Sequence, residues 1–317
     1  MSFNDNLDSN YSSRGSSSGS GSSGGGLGGG RGGSNPLLMM LMSGVARKFG
    51  LPGVLVLGAI VFFTSGGLGG LTGGSTDSIF GTDAQQQQVS GTGSFEHCKT
   101  AADANNYDDC RILATGVSLD QVWGSKLTAE SGVSYSAPEL MIAEGQVKTS
   151  CGNANISQTG PFYCPADQTV YMSVPFFDQL KAMGGSDGDF AQMYVTAHEF
   201  GHHIQQQMGT LKYANYNDPG ADSGAVQVEV QADCYAGVWA ANADKGDKAV
   251  LDPLTQEQIK QAIDSARAIG DDAIQRSAGQ EVNPDLWTHG SSEQRVTWFT
   301  KGYEQGTMEA CAQPFNR

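Results

Sequence analysis

The pattern of hydrophobic and polar positions divides the chain into a polar beginning, a short apolar stretch and a long mixed region. Residues 1–35 are mostly Gly, Ser and Asn, a composition that buries too little apolar surface to fold, so a disordered tail is expected there. Residues 36–71 form a predicted membrane-anchor region, because residues 51–71 are largely apolar, carry no charge and provide the roughly twenty residues that one spanning helix needs. A linker at 72–95 then leads into one folded domain at 96–317.

Helical periodicity dominates the domain. It predicts helices at about 189–208, 228–240, 255–270 and 292–306. Two strands are predicted at 162–164 and 169–173, where Tyr and Val favour extended structure and the Pro and Asp between them favour a turn. These elements indicate an α+β fold that is rich in helix and has a small β-sheet. The edge of that sheet can pair with an extended peptide, but a sheet that only packs on a helix fits the sequence equally well.

One predicted helix carries the pattern H-E-x-x-H, formed by His198, Glu199 and His202. Residues four apart lie on one face of a helix, so both imidazoles can reach one metal ion, and the glutamate between them can hold a water molecule bound to it. Gly201, inside the motif, allows another element to pack closely against the helix. His203 is five residues from His198 and is expected to face away from the metal.

The helix predicted at 228–240 offers a third ligand. Catalytic zinc commonly takes three protein ligands and keeps a fourth position for water, and two His with one Glu is a known set. Glu229 is therefore the expected third ligand. Asp233, one turn later on the same face, is expected to accept the free ring N–H of a ligand histidine. The alternative is a solvated face that carries both carboxylates, but the neighbouring positions are mostly apolar and favour the inward orientation.

Charge is unevenly distributed along the chain. The net charge is −15, and the residues before 76 contribute +2, so the remainder carries −17. Such an acidic region repels phosphate, and no nucleic-acid partner is expected. Arg47 and Lys48 precede the apolar stretch, which predicts a cytoplasmic N-terminus and an extracytoplasmic domain, in the periplasm or at the cell surface. A cleaved signal peptide is the alternative, although about fifty residues precede the apolar stretch, more than a typical signal peptide has.

All six cysteines follow the apolar stretch, and no two of them form a C-x-x-C pair. This favours three disulfides in an oxidising compartment over a thiolate metal site or a redox motif, with buried free thiols in a cytosolic protein as the alternative. Six cysteines allow fifteen connectivities, so the sequence leaves the pairing open. Short-range pairing predicts Cys98–Cys110 and Cys151–Cys164, which leaves Cys234 with Cys311.

Several longer strings follow one another in unbroken order through the domain. They include Gly160-Pro-Phe-Tyr-Cys-Pro-Ala-Asp167, Ala197-His-Glu-Phe-Gly-His-His203, Gln231-Ala-Asp-Cys-Tyr-Ala-Gly-Val-Trp239 and Thr288-His-Gly-Ser-Ser-Glu-Gln-Arg295. In these strings the chain resembles the bacterial putative neutral zinc metallopeptidase family. The resemblance implies a membrane-anchored zinc peptidase with a zincin-like fold. Ser173 departs from the family, in which an acidic residue is expected, and no role is assigned to this position.

The sequence therefore predicts a zinc-dependent peptidase that acts on peptides or proteins. The three expected ligands hold Zn²⁺, which lowers the pKa of its bound water and polarises the substrate carbonyl. Glu199 is the expected general base that takes the proton of this water and later delivers it to the leaving amine. His289 is a candidate donor to the oxyanion that forms on the carbonyl, or else a structural histidine near a helix start. Arg295 is expected to pair with a carboxylate of the site.

Two other classes of function remain open. One is a catalytically silent, zinc-stabilised extracytoplasmic scaffold that binds peptides or wall components. The other is a zinc hydrolase with a substrate other than a peptide. The acidic surface and the predicted edge strand favour peptides, and the sequence does not reveal the cleavage specificity.

Overall fold

The computed structural model describes residues 2–18 and 95–312. The helices are α1 (Ala101–Asn106), α2 (Asp108–Ser131), α3 (Ile156–Thr159), α4 (Phe176–Ala182), α5 (Asp189–Met208), α6 (Gly224–Asn242), α7 (Gln256–Ala268), α8 (Asp271–Ser277) and α9 (Ser292–Gln305). The strands are β1 (Ser16–Ser18), β2 (Glu139–Ala143), β3 (Gln146–Thr149), β4 (Gly152–Asn155), β5 (Phe162–Cys164) and β6 (Thr169–Met172). The domain thus has the predicted helix-rich α+β character.

The predicted membrane-anchor region lies outside the described residues, as does almost all of the predicted linker. Among the helices at 95–312, none combines the length and the apolar character needed to cross a bilayer.

The strands form a four-stranded sheet in the order β1-β2-β6-β5, and β3 and β4 form a separate antiparallel pair. Within the larger sheet, β1, β2 and β6 are parallel, whereas β5 is antiparallel to β6, with Phe162 opposite Tyr171 and Cys164 opposite Thr169. The two strands predicted around the Pro-Asp turn are therefore β5 and β6. Strand β5 forms one edge of the described sheet, on the side next to α5.

Helix α5 is the central element of the domain. It contacts α2, α6 and α7 as well as strands β5 and β6, and every residue from 190 to 205 is buried. A helix surrounded on all sides has no solvated face, so the few polar side chains it carries must find partners inside the protein. These include the residues of the H-E-x-x-H motif.

Two close helix crossings fix α6 between α5 and α9. A Cβ atom on Gly201 would lie 2.9 Å from the carbonyl oxygen of Ala232, so only glycine permits α5 and α6 to approach this closely. At the second crossing, a Cβ atom on Gly302 would lie 2.0 Å from the carbonyl oxygen of Cys234. The expected role of Gly201 in close packing is confirmed. Because Ala232 lies between Glu229 and Asp233 in the chain, the first crossing aligns both carboxylates with the histidines of α5.

The N-terminal residues differ from the sequence prediction. Phe3, Leu7 and Tyr11 are buried in the main core, and Ser16–Ser18 forms β1 along the edge of the sheet. The disordered tail expected at 1–35 is therefore wrong for residues 2–18. The average composition of that region concealed three large apolar side chains spaced four residues apart, enough to bury one face of a short segment.

The three disulfides join Cys98 to Cys110, Cys151 to Cys164 and Cys234 to Cys311, as short-range pairing predicted. The last bond ties the end of the described chain to α6, the helix that carries Glu229 and Asp233.

Candidate metal centre

Helices α5 and α6 bring His198, His202 and Glu229 together at one buried point. The Oε2 atom of Glu229 lies 3.2 Å from Nε2 of His198 and 3.7 Å from Nε2 of His202, and one ligand atom from each residue lies within 4.8 Å of the others. Zinc at its usual distance of about 2.0–2.1 Å from tetrahedrally arranged donors separates those donors by about 3.3 Å. The spacing of the three groups therefore fits one zinc ion.

Hydrogen bonds set the orientation of both imidazole rings. Nδ1 of His198 lies 2.8 Å from Oδ1 of Asp233, and Nδ1 of His202 lies 2.9 Å from Oε1 of Gln205. Since each acceptor takes a ring N–H, the neutral tautomers leave both Nε2 atoms free to bind a metal. Gln205 is held in turn, because its amide donates to the carbonyl oxygen of Val228 at 2.6 Å.

Asp233 is the centre of a fully buried polar cluster. Its two oxygens accept hydrogen bonds from Nε of Arg295 at 2.8 Å and from Nη2 at 3.0 Å, and Oδ1 also accepts the hydroxyl of Tyr194 at 2.5 Å. Burial alone would raise the pKa of Asp233, but Arg295 and His198 outweigh it and lower the pKa to about 2. The carboxylate is therefore ionised at neutral pH and holds His198 as a charged acceptor.

Glu199 follows His198 in the chain, and the pKa of its carboxyl group is shifted in the opposite direction from that of Glu229. Its carboxyl group is buried, and burial raises its pKa although the neighbouring imidazoles of His198 and His202 oppose the shift. Glu229 is equally buried, but His202 and His198 overcome that burial and lower its pKa. The carboxyl group of Glu199 therefore accepts a proton more readily, whereas that of Glu229 remains ionised and can bind a metal.

Tyr216 contacts the outer oxygen of Glu229. Its hydroxyl donates to Oε1 at 3.1 Å, while Oε2 faces the two histidines. Burial and the charge of Glu229 raise the pKa of Tyr216 well above its usual value, so the phenol keeps its proton and donates it. The two oxygens of Glu229 therefore have separate partners, which favours binding of the metal through a single oxygen.

His289 follows α8 and is held in place by Asp271. Oδ2 of Asp271 accepts the backbone N–H groups of Thr288, His289 and Gly290 at 2.8, 2.7 and 3.0 Å, and Oδ1 lies 3.4 Å from Nδ1 of His289. Burial would lower the pKa of His289, but Asp271 and the charge of Glu229 raise it. An imidazole with an elevated pKa, near the candidate ligand Glu229, is a suitable donor toward a developing negative charge.

The remaining predicted residues have clear positions. His203 faces away from the three metal-binding groups, with Nδ1 2.9 Å from the hydroxyl of Tyr163 and Nε2 2.7 Å from the carbonyl oxygen of Ser136. Arg295 pairs with a carboxylate of the cluster, as expected. Ser173 is fully buried after β6, and its hydroxyl has no hydrogen-bond partner within the described residues.

Sequence reasoning missed Gln205 and Tyr216. Gln205 follows His202 by three residues on α5, and this spacing on one helix face was a usable sign of contact. Tyr216 lies in the irregular connection between α5 and α6, where no periodicity indicates which side chains turn inward.

Two buried helices direct two imidazoles and one carboxylate to a single point, with a further carboxyl group beside them, and these groups form a candidate metal centre. The chain belongs to the family described as putative neutral zinc metallopeptidase, whose sequence profile matches residues 2–314. This match confirms the resemblance seen in the sequence strings. Zinc is accordingly the metal of this family, and the three groups described above can hold it.

Similar proteins occur in distant bacteria. The chain is 44% identical over 223 residues to Uncharacterized protein Rv2575 of Mycobacterium tuberculosis. This aligned region covers 68% of this chain and 74% of the relative. It is 40% identical over 205 residues to Uncharacterized protein YpfJ of Escherichia coli K12, which covers 63% of this chain and 68% of that relative. No solved structure matches the chain.

Proposed function

We propose that the protein is a zinc-dependent peptidase of zincin-like architecture that hydrolyses peptide bonds at the centre formed by His198, His202 and Glu229. The observation that carries the proposal is the donor set itself. Two imidazoles whose Nδ1 atoms are already engaged, and one carboxylate oxygen, converge within bonding range of one ion. Three protein ligands leave a fourth position open for water or substrate, which is typical of catalytic rather than structural zinc.

His198, His202 and Glu229 would hold zinc, which would act as a Lewis acid toward the scissile carbonyl and lower the pKa of water at the site. Glu199 accepts the proton of that water and then delivers it to the leaving amine. The burial that raises the pKa of this carboxyl group supports both steps, because a base with a pKa nearer to neutrality also returns the proton more readily.

His289 stabilises the negative charge that develops on the carbonyl oxygen. The carboxylate of Asp271 accepts three backbone N–H groups of residues 288–290 and so fixes the position of His289. It also raises the pKa of the imidazole, which favours the protonated, hydrogen-bond-donating form. A donor held in place before the reaction needs no reorganisation when the charge forms, which is the main advantage of such groups.

The substrate is an extended peptide or protein segment. Strand β5 lies at the edge of the described sheet and contacts α5, the helix that carries the motif. A peptide added to such an edge would be held by main-chain hydrogen bonds, whatever its side chains.

The domain works in an oxidising, extracytoplasmic compartment. Its three disulfides leave no free cysteine, and such bonds form and persist outside the reducing cytosol. The apolar stretch at 51–71 is proposed to contact the membrane, and it lies outside the described residues.

A catalytically silent zinc scaffold is the alternative function, and one substitution separates the two. The full-length protein and its Glu199→Gln variant are incubated with a diverse peptide pool, and the zinc content of both is measured. A peptidase loses cleavage in the variant but keeps its zinc, because Glu199 is not a ligand. Equal inactivity of both zinc-loaded proteins toward every peptide would favour the scaffold or a non-peptide substrate.

A further inference from the structure

Residues 2–18 are attached to the domain at three successive places, beginning with Phe3. Both backbone polar groups of Phe3 are bound by the side chain of Asn105, which accepts its N–H at 2.8 Å and donates to its carbonyl oxygen at 3.1 Å. Phe3 also forms an antiparallel bridge with Leu251, and the N–H of Asn4 donates to the carbonyl oxygen of Val250 at 2.9 Å. A side chain that recognises both backbone groups of one residue is a specific contact.

The second attachment is the segment around Arg14, which reaches the central helix. Arg14 forms a salt bridge with Asp120 of α2, and its guanidinium lies 5.5 Å from the ring centre of Phe200 on α5. Phe200 is the fully buried neighbour of Glu199 within the motif. Gly15 fits so tightly that a Cβ atom there would lie 2.2 Å from a methyl carbon of Leu113.

The third attachment is β1, which pairs in parallel with β2 and thereby completes the sheet. Near this strand, the segment 2–18 lies beside the start of the range 95–312. Ser13 and Ser16 line the same shallow surface pocket as Phe95 and Glu96. The chain therefore leaves the domain and returns to it at neighbouring places.

We infer that residues 2–18 are an integral part of the metal-binding domain and occupy the same compartment as residues 95–312. Backbone pairing, a salt bridge and buried aromatic side chains cannot form across a bilayer, so both ends of the segment 19–94 lie on one side of any membrane that it contacts. The cytoplasmic N-terminus expected from Arg47 and Lys48 is therefore replaced by an N-terminus that packs on the metal-binding domain.

The family match includes the N-terminal segment. The profile begins at residue 2, so the N-terminal segment belongs to the matched sequence together with the domain. The inference concerns compartment and assembly, and it holds whether or not the centre hydrolyses peptides.

Single-cysteine labelling of the full-length chain tests the shared compartment. Ser9→Cys reports on the N-terminal segment, and Ser134→Cys is its matched control on the domain, since both serines are exposed. The introduced thiol is the only free one, because all six natural cysteines form disulfides. Intact and permeabilised cells are treated with a membrane-impermeant maleimide. We expect both positions to react alike in intact cells, and opposite accessibility of the two positions would overturn the inference.

Hydrogen exchange tests the attachment itself. Asn105→Ala removes both hydrogen bonds to Phe3, whereas Asn106→Ala is a matched control, because Asn106 is exposed and its side chain bonds only within α1. In the full-length protein, exchange over residues 2–11 should accelerate about tenfold in the Asn105 variant and remain unchanged in the control. Rapid exchange of this segment in the wild-type protein would overturn the integral role, even if the compartments agree.

Discussion

The substitution Asp233→Asn tests the polar cluster behind the metal centre. Asp233 accepts from His198, Arg295 and Tyr194, and all of these partners are donors. An asparagine offers one acceptor oxygen and one donor group. If the side-chain oxygen of the asparagine keeps the contact with His198, its NH₂ group faces the N–H of Arg295. Two hydrogen-bond donors then oppose each other at a fully buried position.

The expected magnitudes follow from these contacts. Partners that orient a ligand histidine typically change metal affinity by 10- to 100-fold, which corresponds to about 1.4–2.7 kcal/mol. Leaving Arg295 buried without its counter-charge costs up to about 3–5 kcal/mol of stability in the metal-free protein. The pKa of Asp233 is lowered to about 2, so the stability that its ionised carboxylate contributes is fully present at neutral pH. This stability is lost only as the pH falls through that value.

Two measurements separate the effects on metal and on folding. Competition with a chromogenic zinc chelator gives the zinc affinity, and urea unfolding of the metal-free protein gives the stability. Asp167→Asn is the control, since Asp167 also accepts a tyrosine hydroxyl and a backbone N–H but lies in the sheet region, away from the ligands. It should lose no more than about 1 kcal/mol of stability, because one amide oxygen can keep both hydrogen bonds, and it should keep its zinc affinity. Undiminished zinc affinity in Asp233→Asn would refute the orienting role.

Three further outcomes are expected. Tyr216→Phe removes one hydrogen bond to Glu229 and should weaken zinc binding by about tenfold or less in the chelator competition; a 1000-fold loss would indicate that the phenol does more. His289→Ala should lower kcat about 10²- to 10³-fold with little change in KM and with zinc retained, and an unchanged kcat would remove this residue from the mechanism. Zinc binding at pH 7 should release a proton, because burial lowers the pKa of His198 but Asp233 and Glu229 raise it to about 10 in the metal-free protein; zinc affinity therefore rises with pH up to that value. Calorimetry in buffers of different ionisation enthalpy measures the release, and no dependence on the buffer would contradict it.

The convergence of the candidate ligands could be predicted because local rules determine where these side chains lie. His198 and His202 lie one turn apart on a single helix, and Glu229 and Asp233 repeat that spacing on another, so periodicity alone puts each pair on one face. The sequence also indicated the close crossing at Gly201 that joins the two faces. Short-range pairing was sufficient for the disulfides.

The remaining parts depend on contacts between distant segments. The carboxylate of Asp271 accepts three N–H groups from the loop at 288–290, a contact that no local pattern in the sequence indicates. Tyr216 reaches Glu229 from an irregular loop, and Phe3 is recognised by Asn105 from 102 residues away. No periodicity within a segment carries such information, because the partner is specified only when the whole domain folds.

The proposal that this centre is a zinc peptidase can be tested by measuring zinc content and peptide cleavage on the same sample of the oxidised, full-length protein. The sample is assayed as prepared, after removal of metal by a chelator, and after addition of one equivalent of zinc per chain. We predict one tightly bound zinc ion per chain, loss of cleavage with its removal and recovery with its return. Cleavage that persists in the metal-free protein, or a protein that holds one zinc ion and cleaves no peptide, would contradict the proposal.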